Sequence, residues 1–391
     1  MTVFSPIPTI KEPPFEIEGK EITAPAACLR AADADEEARA RGAAFAAEVK
    51  ERRFSDFEKE GDRMVHVSTF AEIDGMVYMT YYANTRAAEE DPNNQTARLA
   101  VCPVGDPAQK TFFDVQSVGD LCGGQTVSLV YDTIFARRDA DTLYILWTAK
   151  VGETYYRLYR PYSISRRTLG EVGVNRLKIG NSLHDFSTAG ILAGLSENGL
   201  GCKRMYSDIG IMQKFTTRVE NGTLYYYTGA YSGDMNFLIK SADLITWEYV
   251  SQPSFPNWSK WENAVYLLGD TCYYFVRQQD ETRYGFLTAY DLRSGTWATP
   301  VLIEDCQSRS DFIFYQGQLY LFHAPIDREH IGVVRVDRED LTKSRIILQA
   351  DMQGSCFYPF VQEFGESFGI SYTVARQHIR LARFDPKKYL V

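Results

Sequence analysis

A hairpin-like phrase returns six times along this 391-residue chain and constrains its fold more than any other feature. Each instance opens on a polar or glycine turn, followed by an apolar position, a Tyr in most cases, and then alternating large residues. The instances are DGMVYMTYYAN (74–84), DTLYILWTAK (141–150), NGTLYYYTGAYS (221–232), GDTCYYFVRQ (269–278), QGQLYLFHAP (316–325) and GESFGISYTVAR (365–376). Aligning Tyr78, Tyr144, Tyr225, Tyr273, Tyr320 and Gly369 gives intervals of 66, 81, 48, 47 and 49 residues. Apolar alternation bounded by turn residues indicates strands, and an interval near 48 is the length of a four-stranded propeller blade.

The remaining strands of each unit follow the same pattern. An apolar run precedes the turn, as in MVHVSTFAEI (64–73), ENAVYLL (262–268), SDFIFY (310–315) and CFYPFVQEF (356–364). A third strand follows in NFLIK (236–240), YGFLTAYD (284–291), HIGVVRVD (330–337) and HIRLARFD (378–385), and a fourth in WEYVSQ, WATPVLI and SRIILQA. The last unit lacks a fourth strand, which FEIEGKEITA (15–24) could supply, closing the ring between the two ends. Residues 31–60 are rich in Ala, Glu and Arg and are expected to be helical. An irregular insert at 181–203 accounts for the longest interval. The expectation is an all-β chain: an arm over 1–60, carrying a closing strand and a helix, and one six-bladed β-propeller over 61–391. Five or seven blades are the alternatives, because 160–205 does not follow the repeat.

Composition narrows the functions. With 45% hydrophobic residues the chain is not disordered, and it has no apolar run long enough to span a bilayer. Its net charge of −9, without a basic block, excludes a general nucleic-acid binder and leaves room for a local basic pocket. The first residues lack a basic start followed by an apolar stretch, so a cytoplasmic protein, monomeric or homodimeric, is expected. Seven scattered cysteines without a CxxC pair fit reduced, buried thiols.

Propeller geometry converts the repeat into a list of site candidates. The first strand of each blade starts on the binding face, the second ends there, and the loop after it lies there too. First strands offer His66, Asp132, Asp208, Trp261, Glu262, Arg309, Asp311 and Tyr358. Second strands end at Asn84, Arg86, Trp147, Tyr231, Arg277, His323 and Arg376, and loops add Glu89, Glu90, Asp91, Arg328 and His330. From these, Glu262, Asp311, Asp208, His66, His323 and Tyr358 are the catalytic candidates. Arg277, Arg309, Arg376, Trp261, Trp147, Arg86 and Asp91 are the candidates for holding substrate. Arginines clamp anions, carboxylate pairs act on acetals, and aromatic rings support sugar faces. Structural alternatives remain open. Glu262 can cap a strand, Arg309 and Asp311 can pair with each other, His323 can be a core histidine, and 86–91 can be a solvated loop. No metal-ligand spacing, phosphate loop or dinucleotide fingerprint is present, so neither metal nor cofactor is expected.

Ser241, Asp243, Leu244 and Trp247 form S-x-D-L-x-x-W, which resembles the blade turn of family 43 propeller glycosidases and, more loosely, the Asp-box of sialidases. The stretch 81–101 is similar to the sialidase loop in which an Arg precedes the Asp acid/base. Glu262, Arg277, Arg309 and Tyr358 fall in the blade order of the sialidase Glu that activates the nucleophile, two carboxylate-binding Arg and the nucleophilic Tyr. The departure is at the start of blade one, where VHVST places His66 in the position of an Arg. The resemblance therefore implies a sialidase-like propeller rather than a true sialidase. The expected activity is exo-hydrolysis of a terminal sugar from a short acidic oligosaccharide, by paired carboxylates with Arg residues holding the substrate. Two alternatives stand beside it: an exo-lyase cleaving next to a uronic acid with His66 or His323 as base and Tyr358 as acid, and a carbohydrate-binding propeller without catalysis.

Overall fold

The computed structural model describes residues 27–200, 209–211, 214–232, 235–253, 259–278, 284–306, 308–326 and 328–391. Their strands form six sheets, labelled I to VI in the chain order of the main antiparallel run of each. Sheet I runs Met64–Ile73, Met76–Asn84, Gln95–Pro103 and Thr111–Ser117, each antiparallel to the last. Sheet II starts with Gln125–Arg137, sheet III with Ile209–Ile211, sheet IV with Ser259–Leu268, sheet V with Asp311–Tyr315 and sheet VI with Cys356–Phe364.

What makes these sheets a ring is the position of the apolar side chains. The main clusters each lie between two consecutive sheets. Ile73 and Tyr78 of sheet I meet Val127 and Trp147 of sheet II, while Ile134 and Leu146 on the other face of sheet II meet Ile209 and Phe237 of sheet III. Tyr227 meets Val265, Ala264 meets Phe312, and Tyr320 meets Val361 across the next three gaps. Val65, Phe70 and Met79 of sheet I then pack on Phe360, Ile379 and Leu381 of sheet VI, closing the circle. Each sheet is apolar on both faces, which is why its strands read as near-continuous apolar runs. The fold is an all-β propeller with little helix.

The closing strand is found elsewhere than expected. Residues 15–24 lie outside the described residues, and the outer partner of His378–Phe384 is Arg53–Asp56, paired Arg53↔Ala382 to Asp56↔Arg380. That strand falls inside the stretch expected to be helical. The helix is Glu36–Glu51, begun by the Asp35 carboxylate accepting the Ala38 N–H at 2.7 Å. Beyond it, Phe54 and the buried Phe57 join the cluster between sheets VI and I, and Asp56 pairs with Arg380 at 3.0 Å, so tertiary packing overrides the helical composition. The irregular insert also contains a helix, Thr188–Glu197, capped by Ser187. The S-x-D-L-x-x-W phrase is the expected turn. Asp243 Oδ1 accepts from the N–H groups of Ile245 and Thr246, Ser241 Oγ accepts from Leu244, and Trp247 is fully buried between sheets II and III.

Candidate active site

Four first strands break register near the same end. The pairing slips between His66 and Thr69, Tyr131 and Ile134, Ser259 and Asn263, and Phe357 and Phe360. Within these bulges Val67, Asp132 and Tyr358 take positive φ of 56°, 53° and 61°. A bulge frees a residue from the ladder and re-aims its side chain, and positive φ in a non-glycine residue is strain that collects at functional sites. The bulges of sheets I, II, IV and VI deliver His66, Asp132, Glu262 and Tyr358.

Glu262 and Tyr358 meet directly. The Tyr358 hydroxyl donates to Glu262 Oε1, Arg277 Nη1 donates to Glu262 Oε2, and the same Nη1 lies 3.2 Å from the Tyr358 oxygen. Glu262 is 8% exposed and Tyr358 6%. Burial pushes the Glu262 carboxyl up, but the Arg277 charge and the hydrogen bonds from Tyr358 and Arg277 outweigh it and hold it below the usual range. Burial and the adjacent Glu262 charge raise Tyr358 well above an ordinary phenol. The arrangement keeps an ionised carboxylate ready to accept the proton of a neutral phenol.

Around this pair lies a concentration of positive charge. Arg309 Cζ stands 5.7 Å from the Tyr358 ring centroid. Its residue is 0% exposed, and none of its three nitrogens has a hydrogen-bond partner among the described residues. Arg328 and Arg376 place their guanidinium carbons 5.3 and 5.4 Å from the Phe357 centroid. His66 sits inside this group, its ring 4.4 Å from that of Tyr358 and its Nδ1 3.1 Å from Thr373 Oγ1. Burial and the charges of Arg376, Arg328, Arg309 and Arg277 hold its basicity well below that of a free imidazole. On the other side, Asp132 Oδ2 accepts from Tyr231 at 2.7 Å, and burial raises the Asp132 carboxyl.

The loop between the second and third strands of sheet I forms one rim. Glu90 Oε1 accepts from the Tyr82 hydroxyl at 2.6 Å, and Glu90 Oε2 pairs with Arg376 at 3.0 Å. An open cavity of about 610 Å3 is lined there by Ala88, Glu89, Glu90, Ser355, Phe357, Ala375 and Arg376. Asp91 and Arg86 hold the loop together. Hydrogen bonds from Asn93 and Asn94 lower the Asp91 carboxyl, and Arg86 donates to Asn94 Oδ1 at 3.0 Å. Neither is placed against Tyr358 by any of these contacts.

Glu262, Tyr358, His66, Arg277, Arg309 and Arg376 therefore come together, and other candidates do not. Asp311 forms a buried ion pair with Lys214 at 2.9 Å and accepts the Val361 N–H, so it ties sheets V and VI and is neither a catalytic partner of Glu262 nor an ion-pair partner of Arg309. His323 is a core histidine, 3.2 Å from Cys306 Sγ and pressed against Gly332, with burial lowering its pKa to about 4. Trp147 is fully buried between sheets I and II and offers no sugar platform. Asp208 lies outside the described residues, as does the side chain of Trp261, whose backbone belongs to the first strand of sheet IV. Asp132, Arg328 and Glu90 belong to the ring of face residues but not to the narrower catalytic and substrate-holding sets, and the positive φ of Asp132 and Arg328 has no sequence signal. Tyr82 and Thr373, which reach Glu90 and His66, lie outside the candidates read from the sequence. Away from the site, Asp56, Glu58 and His378 converge on the outer edge of sheet VI, where Arg53 and Arg380 already pair with Asp56.

No family model matches the chain, and no curated protein matches it. Solved structures do. A variant of the NanB sialidase of Streptococcus pneumoniae superposes with a TM-score of 0.54 at 11% identity, over 86% of this chain and 71% of that one. The sialidase of Trypanosoma rangeli, solved as a covalent intermediate with 2,3-difluorosialic acid, gives 0.55 at 13% identity. That match covers 85% of this chain but only 57% of the trypanosomal one. A Hadza microbial sialidase gives 0.58 at 12% identity, covering 84% and 67%. At such identities the likeness is one of architecture: the chain has a sialidase-like β-propeller fold.

Proposed function

We propose that this chain is a retaining exo-glycosidase that releases a terminal sugar bearing a carboxylate, with Tyr358 as nucleophile and Glu262 as its base. The observation that carries this reading is the buried Tyr358–Glu262–Arg277 contact beside the Arg309 guanidinium, which has no hydrogen-bond partner among the described residues. A carboxylate nucleophile would be repelled by a substrate carboxylate next to the reacting carbon, whereas a neutral phenol is not. Tyr358 attacks the anomeric carbon as its proton passes to Glu262, and the charge of Arg277 keeps Glu262 ionised until then. Arg309, with Arg328 and Arg376, supplies the cationic seat for the substrate's anion. The Tyr–Glu pair replaces the paired carboxylates expected from the sequence.

In this reading the six sheets are six blades with the pocket at one mouth of their ring. The Glu90–Arg376 contact walls off one side, which favours release of a terminal residue. Elimination is the weaker reading, because His66 is a poor base among four arginines and His323 lies in the core. The sialidase folds of the structural neighbours make sialosides the first substrates to try, followed by glucuronides and galacturonides.

The test is a panel of 4-methylumbelliferyl glycosides of these acidic sugars and of neutral hexoses. Release from an acidic member, together with mass-spectrometric detection of a 2,3-difluoro sugar bound to the Tyr358 peptide, is expected. Cleavage confined to neutral sugars, or an unsaturated uronate as product, would overturn the reading.

A further inference from the structure

Four guanidinium groups crowd two neighbouring rings, those of Tyr358 and Phe357, whose centroids lie 5.8 Å apart. Arg277 and Arg309 stand on the Tyr358 side, with Arg277 Nη1 3.2 Å from the phenol oxygen and Arg309 Cζ 5.7 Å from the ring. Arg328 and Arg376 stand 5.3 and 5.4 Å from the Phe357 centroid. Among the described residues two carboxylates answer these four charges by direct contact, Glu262 on Arg277 and Glu90 on Arg376. Neither Arg309 nor Arg328 forms an ion pair with a described residue. Asp132 leaves the balance unchanged, because the fully buried Arg157 donates from Nη1 to its carbonyl oxygen at 3.2 Å and brings a charge of its own. Glu89 shares the rim but is exposed, and water screens its charge. His66 adds none, since burial and the four arginines hold it well below a free imidazole. The group thus keeps two positive charges in excess. Nε of Arg277, Nε of Arg376 and all three nitrogens of Arg309 are buried without a hydrogen-bond partner among the described residues. Buried cations without counter-charges are costly, and a single carboxylate would meet half of this excess.

We infer that the site takes a sugar with two separate anionic groups: a carboxylate, seated at Arg309, and a second, singly charged oxyanion, a sulfate ester or another carboxylate, seated at Arg328. The inference rests on the glycosidase reading above and narrows its substrate class. The two seats are distinct. Arg309 lies beside the nucleophile, where the reacting end of the sugar belongs. Arg328 lies across Phe357, which with Arg376 lines the open cavity of about 610 Å3. Arg376 is already committed to Glu90, so Arg328 is the cation left for the second anion. A phosphate monoester fits the count less well, because its charge of about −1.5 to −2 added to a carboxylate would exceed the excess. A guanidinium fork suits a sulfate or a carboxylate equally, as both offer two oxygens to parallel N–H groups.

Titration calorimetry at fixed ionic strength tests this without requiring turnover. The probes are glucuronic acid and N-acetylneuraminic acid, each with and without one O-sulfate, and glucaric acid, which carries a carboxylate at each end. On at least one of these frames the doubly charged sugar is expected to bind about 10–10²-fold more tightly than its singly charged parent. A gain on sulfation supports the ester as the second anion, and a gain with glucaric acid supports the carboxylate. In Arg328→Gln that ratio should shrink to about threefold or less. Because the singly charged parent serves as reference, a general loss of fold moves both affinities and leaves the ratio alone. Doubly charged sugars that bind no more tightly than their parents, or an advantage that survives Arg328→Gln, would overturn the inference. Turnover keeps the two readings apart. Release from singly charged aryl glycosides with no gain from a second anion would refute the second seat and leave the glycosidase standing. Tight binding of a doubly charged sugar, with no release from any acidic aryl glycoside, sulfated or not, would support the second seat and sink the glycosidase reading.

Discussion

The Tyr358 hydroxyl donates to Glu262 Oε1 across 96 residues of sequence, joining the bulged first strands of sheets VI and IV. Two effects act on the pair in opposite directions. Burial favours the neutral form of both groups, while the Arg277 charge favours ionised Glu262. The balance leaves Glu262 ionised and Tyr358 protonated.

Tyr358→Phe should therefore abolish turnover, by on the order of 10³–10⁶-fold. Glu262→Gln should lower it by about 10²–10⁴-fold with little change in fold. Glu262→Ala should also destabilise the chain by about 3–5 kcal/mol, because it strands the buried Arg277. Since the Glu262 carboxyl sits below its ordinary value of 4.5, its ionisation should not limit activity above that pH. Steady-state rates from pH 4 to 8 and urea unfolding check both statements. Wild-type turnover in Tyr358→Phe would remove Tyr358 from the chemistry.

Arg309 should behave in the opposite way for stability. It is fully buried without a hydrogen-bond partner among the described residues, so the folded free protein bears a desolvation penalty that a substrate anion would offset. Arg309→Met is expected to stabilise the free chain by about 1–4 kcal/mol. The same change should weaken binding of an acidic sugar by on the order of 2–5 kcal/mol. Differential scanning calorimetry and titration calorimetry separate the two effects. A loss of stability would mean that Arg309 is a structural element.

The contrast between Arg309 and Asp311 shows how far the sequence could be read. Both sit at the start of the same first strand, and the spacing put both at the binding face. Nothing local says that Asp311 turns to Lys214 while Arg309 finds no hydrogen-bond partner among the described residues, because both outcomes depend on chain that is remote in sequence. The propeller class was legible, since a 48-residue period with Tyr-rich hairpins admits few other architectures. The closing strand was not, because Arg53–Asp56 has a helix-like composition and is held as a strand by Phe57 and Arg380. Glu262, Arg277 and Tyr358 were legible as an ordered set, and their contact was not. That contact depends on bulges and on a positive φ at Tyr358, which leave no trace in residue type.

His323 supplies a pH-dependent test of the core. Unfolded, it binds a proton below about pH 6.5, and folded only near 4, because burial disfavours the charged ring. Between those values the unfolded chain holds more protons, so stability falls as the pH drops from 6.5 towards 4, by up to about 3 kcal/mol. His323→Gln should remove that part of the slope. Urea unfolding of both proteins at pH 7 and pH 4.5 measures it as a difference, in which all other titrating groups cancel. Identical slopes would place the His323 ring in contact with water.

Gly210 links the fold to the site most directly. It lies opposite Tyr231 in sheet III, and the absence of a side chain lets the Tyr231 ring fold across it to reach Asp132 in sheet II. A Cβ at this position would stand 2.1 Å from Tyr231 Cε1 and 2.6 Å from Asp132 Oδ2, so one of those groups must move. Gly210→Ala is expected to cost about 1–3 kcal/mol of stability through overpacking. It should also disturb Asp132, which Tyr231→Phe does by a separate route, removing only the hydroxyl. If Asp132 helps to place substrate, both variants should raise KM for the acidic aryl glycoside, while only Gly210→Ala lowers stability through a clash. A higher KM in Gly210→Ala alone would show that the backbone of sheet III, rather than the Tyr231–Asp132 hydrogen bond, shapes this side of the pocket.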